Sequence, residues 1–136
     1  MKQVKFLFKV FNPNPMHKQG TKVTTGDCVI RAICKATGKD WYEVYDLLCA
    51  KGRQMGDWGN MVEVYTAVLD DLGFERVSVK RQKGVKAVNV KQFIEQHPDG
   101  VYILRLAHHL TCVYQGCCYD TWYPDTNTIY CYWTKK

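Results

Sequence analysis

The sequence predicts an α+β fold, with N-terminal helices packed against a C-terminal antiparallel β-sheet, and three observations carry that reading. Apolar residues recur at helical spacing in three stretches between Asp27 and Gly73. From Val101 onward the chain runs in short β-branched and aromatic segments separated by turn residues. Its 136 residues, 46% hydrophobic and 24% charged, suit one soluble domain, 1–136, whose core needs neither disulfides nor metal. Helices first and strands afterwards is the order of an α+β domain.

Segment 4–12 carries Phe6, Phe8, Val10 and Phe11 in weak alternation, a strand that Asn12-Pro13-Asn14-Pro15 ends in an extended turn. The stretch to Gly26 is polar and loop-like. Asp27 then caps a helix with Val29, Ile30, Ile33 and Ala36 on its apolar stripe, ending at Thr37-Gly38. Asp40 and Glu43 have capping-box spacing for a second helix, which buries Trp41, Val44, Tyr45 and Leu48 and stops at Gly52. Asn60 and Glu63 repeat the spacing for a third, with Val64, Tyr65, Val68, Leu69 and Leu72 as its stripe and Gly73 as its end. A short strand over 74–79 precedes a brief helix capped by Asn89 and running to His97, where Pro98-Asp99-Gly100 closes it. Strands are expected at 101–106, 110–114, 117–122 and 129–133, with turns at Gln115-Gly116 and Pro124-Asp125.

The net charge of +6, from 19 basic and 13 acidic residues, gathers around Arg76, Lys80, Arg81, Lys83, Lys86 and Lys91. That stretch has no aromatic residue until Phe93, so it reads as a solvated loop, and no nucleic-acid partner is expected. No apolar run is long enough for a membrane span, and lysines interrupt the first nine residues where a signal peptide would be apolar. The expected location is therefore the cytoplasm, where seven cysteines, an odd number, remain reduced thiols. Cys112, Cys117, Cys118 and Cys131 lack Cys-x-x-Cys spacing, and adjacent strand residues point to opposite faces, so neither metal nor cofactor is expected.

A thiol attacks as thiolate, and a helix N-terminus stabilises that charge. Cys28 falls in the first turn of the first helix, and Arg31, three residues on, adds a fixed positive charge. Cys34 and Cys49, on apolar helix faces, read as inert. Of the four histidines, His17 sits in a loop and His97 at a helix end, which leaves the adjacent His108 and His109 as candidate bases. If Gln115-Gly116 are the centre of a hairpin, His109 lies opposite Trp122 and Thr111 opposite Asp120, making His109 and Asp120 diagonal neighbours. His108 then points to the other strand face, and Trp122 shields the His109–Asp120 bond from water. Cys28, His109 and Asp120 become nucleophile, base and orienter.

Gly26-Asp27-Cys28 followed by Val29-Ile30-Arg31-Ala32-Ile33, with His109-Leu110-Thr111 and Tyr119-Asp120-Thr121-Trp122, resembles papain-like thiol hydrolases. The similarity is greatest to small cysteine-protease-like proteins of Firmicutes and their phages. It extends to Phe11-Asn12-Pro13-Asn14-Pro15, Asp40-Trp41, Leu72-Gly73-Phe74 and Tyr130-Cys131-Tyr132-Trp133. The resemblance implies a papain-like fold, with the cysteine helix packed on the sheet that bears the histidine. It also implies a glutamine about six residues before the cysteine as an oxyanion donor. Lys22 stands there instead, leaving Gln19, Asn14 or Asn12 to take the role. His108 likewise stands where such relatives place glycine.

The expected function is hydrolysis of a peptide, isopeptide or related amide bond, with a peptide or protein as partner and with transfer to an amine as a variant outcome. The rival is a catalytically silent papain-like module, phage-encoded, that binds or inhibits a host protein in the bacterial cytosol. The substrate and the oligomeric state are not set by the sequence.

Overall fold

The computed structural model describes residues 7–17, 26–80 and 82–136. Helix α1 (Cys28–Thr37) ends at Gly38, whose left-handed φ of 76° lets its amide reach the Cys34 carbonyl. Helix α2 (Trp41–Met55) opens with the Asp40 carboxylate accepting from the Glu43 amide at 2.9 Å. It passes through Gly52 and stops at Gly56. Gly52 is thus a place of close approach rather than a terminator: a Cβ there would lie 2.5 Å from the Asp57 carbonyl oxygen, which folds back over the helix.

Helix α3 (Val62–Asp71) buries Val64, Tyr65, Val68 and Leu69 as its stripe predicts. Its N-cap is Met61, without a side-chain cap bond, so Asn60 is not the cap expected from its spacing to Glu63. On α2 the buried stripe is narrower than predicted. Val44 and Leu48 are buried, Trp41 is half-buried, and Tyr45 and Cys49 are exposed, because α2 lies outside α1 and meets the core along one edge. Helix α4 (Val90–Gln96) has a full capping box between Asn89 and Gln92.

The strands are β1 (Phe8–Val10), β2 (Phe74–Ser78), β3 (Val101–Leu106), β4 (His109–Tyr114), β5 (Cys117–Asp120) and β6 (Cys131–Lys135). They form one six-stranded sheet in the order β1-β5-β4-β3-β6-β2. The sheet is mixed, not purely antiparallel. β1 runs parallel to β5, with Phe8 opposite Cys118, while the other pairs are antiparallel. β1 precedes the helices in the chain, and a connection that long needs no hairpin reversal to bring a strand to the edge. Residues 4–6 of the predicted first strand lie outside the described residues.

Successive side chains of β3 supply two different cores, as the period of two requires. Ile103 packs with Ile33, Leu69, Leu110 and Trp133 beneath α1 to α3, while Leu104 and Leu106 pack with Phe93, Ile94 and Val113 beneath α4. The helices therefore cover both faces. Lys35 places its ammonium 4.0 Å from the Tyr119 ring and 4.8 Å from that of Tyr114, pinning α1 to the β4–β5 hairpin. Arg76, Lys80, Lys83, Lys86 and Lys91 are exposed, and Arg81 lies outside the described residues. Among the described residues no helix is long and apolar enough to cross a membrane.

Replacing Gly52 by alanine sets a methyl group against backbone rather than against a movable side chain. The expected cost is about 1–3 kcal/mol of stability, read from urea unfolding of Gly52→Ala beside wild type.

Candidate active site

A tight turn sets the position of the histidine. Gln115 and Gly116 both have left-handed φ, 50° and 74°, and form a two-residue connection between β4 and β5. The resulting register pairs Tyr114 with Cys117, Val113 with Cys118 and Cys112 with Tyr119. It brings His109, at the start of β4, to Asp120, at the end of β5, with Nε2 2.6 Å from Oδ2. The Trp122 ring sits 5.0 Å from that of His109, centroid to centroid, and remains partly exposed.

His108 is not a strand residue facing the opposite side. It occupies the two-residue turn between β3 and β4 with a left-handed φ of 54°, the conformation that explains why glycine would suit the place. Its exposed side chain borders the same cleft as His109.

Cys28 is the first residue of α1, and its thiol faces the His109 ring and the Leu110 backbone amide, close enough for both to stabilise its charge. Since Nε2 faces Asp120, the ring nitrogen left for sulfur is Nδ1. Burial by itself would raise the Cys28 thiol. The His109 bond, the Leu110 amide and the positive charges of His109 and Arg31 outweigh it and hold the thiol below its ordinary range. Burial likewise works against the His109 cation, yet its bonds to Asp120 and Cys28 raise the imidazole to about 9. Burial disfavours the Asp120 anion too, but the bond from His109 more than compensates and lowers that carboxyl. The three shifts favour the charged form of each group: thiolate, imidazolium and carboxylate.

The other buried thiols shift the opposite way. Burial pushes Cys34 and Cys118 up to about 12 and also raises Cys112 and Cys117. Cys28 differs because two hydrogen-bond donors face its sulfur.

Behind the triad lies a buried polar network that the spacing of single motifs did not reveal. Asp27 is 3% exposed and Arg31 6%, and they form a short ion pair one helical turn apart. The other guanidinium nitrogen, Nη2, reaches Asp120 Oδ1 at 3.4 Å. Asp27 Oδ2 also accepts from Asn14 Nδ2 at 3.0 Å and from Trp41 Nε1 at 3.1 Å. Asp27 occupies the N-cap position, but its carboxylate makes no cap bond, contrary to the sequence expectation, because these stronger donors claim it. The four-residue spacing of Asp27 and Arg31 was the available signal for the pair.

Asn14 is committed to that network and, through Oδ1, to the Met16 and His17 amides. Asn12 donates to the His17 carbonyl at 2.6 Å and accepts from the Asn14 amide. Neither borders the cleft, so the structure does not place them as oxyanion donors. Gln19 and Lys22 lie outside the described residues. His97 stacks on Phe93 and bonds its carbonyl, well apart from the site.

The cleft over Cys28 and His109 encloses about 390 Å³, with Tyr65, Arg105, Asn60 and His108 along its walls. Of these, the sequence marks only His108 as a site residue; Asn60 and Tyr65 read there as a helix cap and a core residue, and Arg105 carries no motif. A second hollow of about 300 Å³ shares Gly26, Val29 and Asn60 with it and is walled by Trp41, Tyr45 and Trp58. Among the described residues no cluster of histidine, cysteine and acidic side chains is arranged to hold a metal ion.

Comparison with protein-family models, curated proteins and solved structures found no match for this chain. What the site can do rests on its own geometry: a thiol facing an imidazole that is bonded to a carboxylate, at the wall of an open cleft. At about pH 6, iodoacetamide is expected to label Cys28 well ahead of Cys34 and Cys118, because of the three only Cys28 is shifted toward thiolate. Peptide mapping of the alkylated protein across pH checks it. Equal labelling of Cys28 and Cys34 would contradict the ion pair.

Proposed function

We propose that the protein is a papain-like thiol hydrolase of a peptide, isopeptide or related amide bond. The single observation that carries this is the meeting of Cys28, His109 and Asp120 at one cleft, with His109 hydrogen-bonded to Asp120 at 2.6 Å and facing the Cys28 thiol. In this scheme the Cys28 sulfur adds to the carbonyl carbon, and the imidazolium of His109 gives its proton to the leaving nitrogen as the C–N bond breaks. Water then attacks the thioester, His109 accepts the proton of that water, and the C–S bond breaks to release the acid. Asp120 holds the ring in one orientation throughout and supports its cationic form.

An oxyanion needs donors, and the first-turn amides of α1 supply them, since the Asp27 carboxylate has turned away from the cap position. The aromatic walls of the adjoining hollow favour a polypeptide with an apolar side chain near the scissile bond. A reduced, cytoplasmic setting belongs to this reading, because the thiol must stay free to react. The absence of Asn12 and Asn14 from the cleft favours one second reading, a module of the same shape that binds a host protein without turnover.

Incubation with a labelled peptide library, with and without a labelled amine, separates hydrolysis, acyl transfer and binding. Cys28→Ala is expected to abolish turnover with the fold intact, and His109→Ala to lower kcat by about 10²–10⁴. Asp120→Asn should cost less than His109→Ala. Turnover that survives Cys28→Ala would end the hydrolase reading, and peptide retained without cleavage by wild type would establish the binding module.

A further inference from the structure

We propose that Arg31 and Asp27 are positioning residues that hold Asp120 in register for His109. The inference rests on the triad reading and extends it by one charge pair. Asp120 divides its oxygens: Oδ1 faces Arg31 Nη2 at 3.4 Å and the Thr121 amide at 2.7 Å, while Oδ2 faces His109 at 2.6 Å. The guanidinium holds the far oxygen, so the near one stays directed at the imidazole. Arg31 Nε finds no acceptor among the described residues, so the side-chain bonds of Arg31 go to the two carboxylates.

A guanidinium answered by Asp120 alone would compete with His109 for that carboxylate. Asp27 prevents this by taking the other end of the fork, and Asn14 and Trp41 hold Asp27 in turn. The result is an alternation of charge from Asp27 to Arg31, Asp120, His109 and Cys28. Facing the same centre are the Leu110 amide, the Thr111 hydroxyl, and, across the cleft, Arg105 and His108.

Arg31→Lys keeps the charge but loses the planar fork that bridges two carboxylates. Asp27→Asn keeps the shape but leaves the guanidinium to Asp120. The test follows the His109 ring resonance by NMR as pH is varied, assigned by its loss in His109→Gln, together with iodoacetamide labelling of Cys28. In both variants the His109 midpoint should fall by about one pH unit, and labelling at about pH 6 should slow by about tenfold.

Folded variants that titrate His109 where wild type does, whatever their melting temperatures, would make the pair structural only and overturn the proposal. A pure field effect would leave Arg31→Lys unshifted, with the same consequence. Should Arg31→Lys not fold, Asp27→Asn, nearly identical in shape, still decides. The hydrolase reading fails separately, if wild-type Cys28 labels no faster than Cys34, while the ring titration continues to judge Arg31 and Asp27.

Discussion

A guanidinium taken out of water costs several kcal/mol, and it stays buried only if every partner is in place. Arg31 meets one carboxylate at the start of its own helix and another at the end of β5. These two contacts tie the start of α1 to the end of the β4–β5 hairpin, and Cys28, next to Asp27 in the chain, lines the same cleft as His109. Losing either carboxylate leaves the buried guanidinium to the other alone and releases one of the two elements it joins. The apolar packing beneath α1 and the Lys35 contacts to Tyr114 and Tyr119 hold the same two elements together.

Asp27 also makes a trade. A cap bond would steady α1 by about 1 kcal/mol. The structure forgoes it, spending the carboxylate on Arg31, Asn14 and Trp41 instead. The first-turn amides are left uncapped by that side chain at the spot where an anion would sit over Cys28. On the hydrolase proposal, local stability is given up where the chemistry needs unspent donors, a common property of functional sites.

Much of this was legible in the sequence because it is local. The helices at 28–37 and 62–71 follow from apolar spacing, and the β4–β5 register follows from two residues, Gln115 and Gly116, which fix every pair beyond them. The same register brings His109 to Asp120. What the sequence did not give depends on distance along the chain. The parallel pairing of β1 with β5, the placing of α4 on the opposite face and the bridge from Arg31 to Asp120 join segments far apart, and no short motif encodes such a meeting. Gly52 was misread for the related reason that its neighbour, the Asp57 carbonyl, is supplied by a turn that folds back. His108 was misplaced because a left-handed histidine in a two-residue turn goes against residue preference.

The wide separation of Cys28 from His109 and Asp120 bears on how the chain is made. During synthesis the cysteine leaves the ribosome long before the hairpin that bears its partners, and until β4 and β5 join the sheet it is an ordinary thiol. A truncated or stalled polypeptide therefore lacks the groups that lower the Cys28 thiol. That shift is a property of the finished molecule, absent from every incomplete copy.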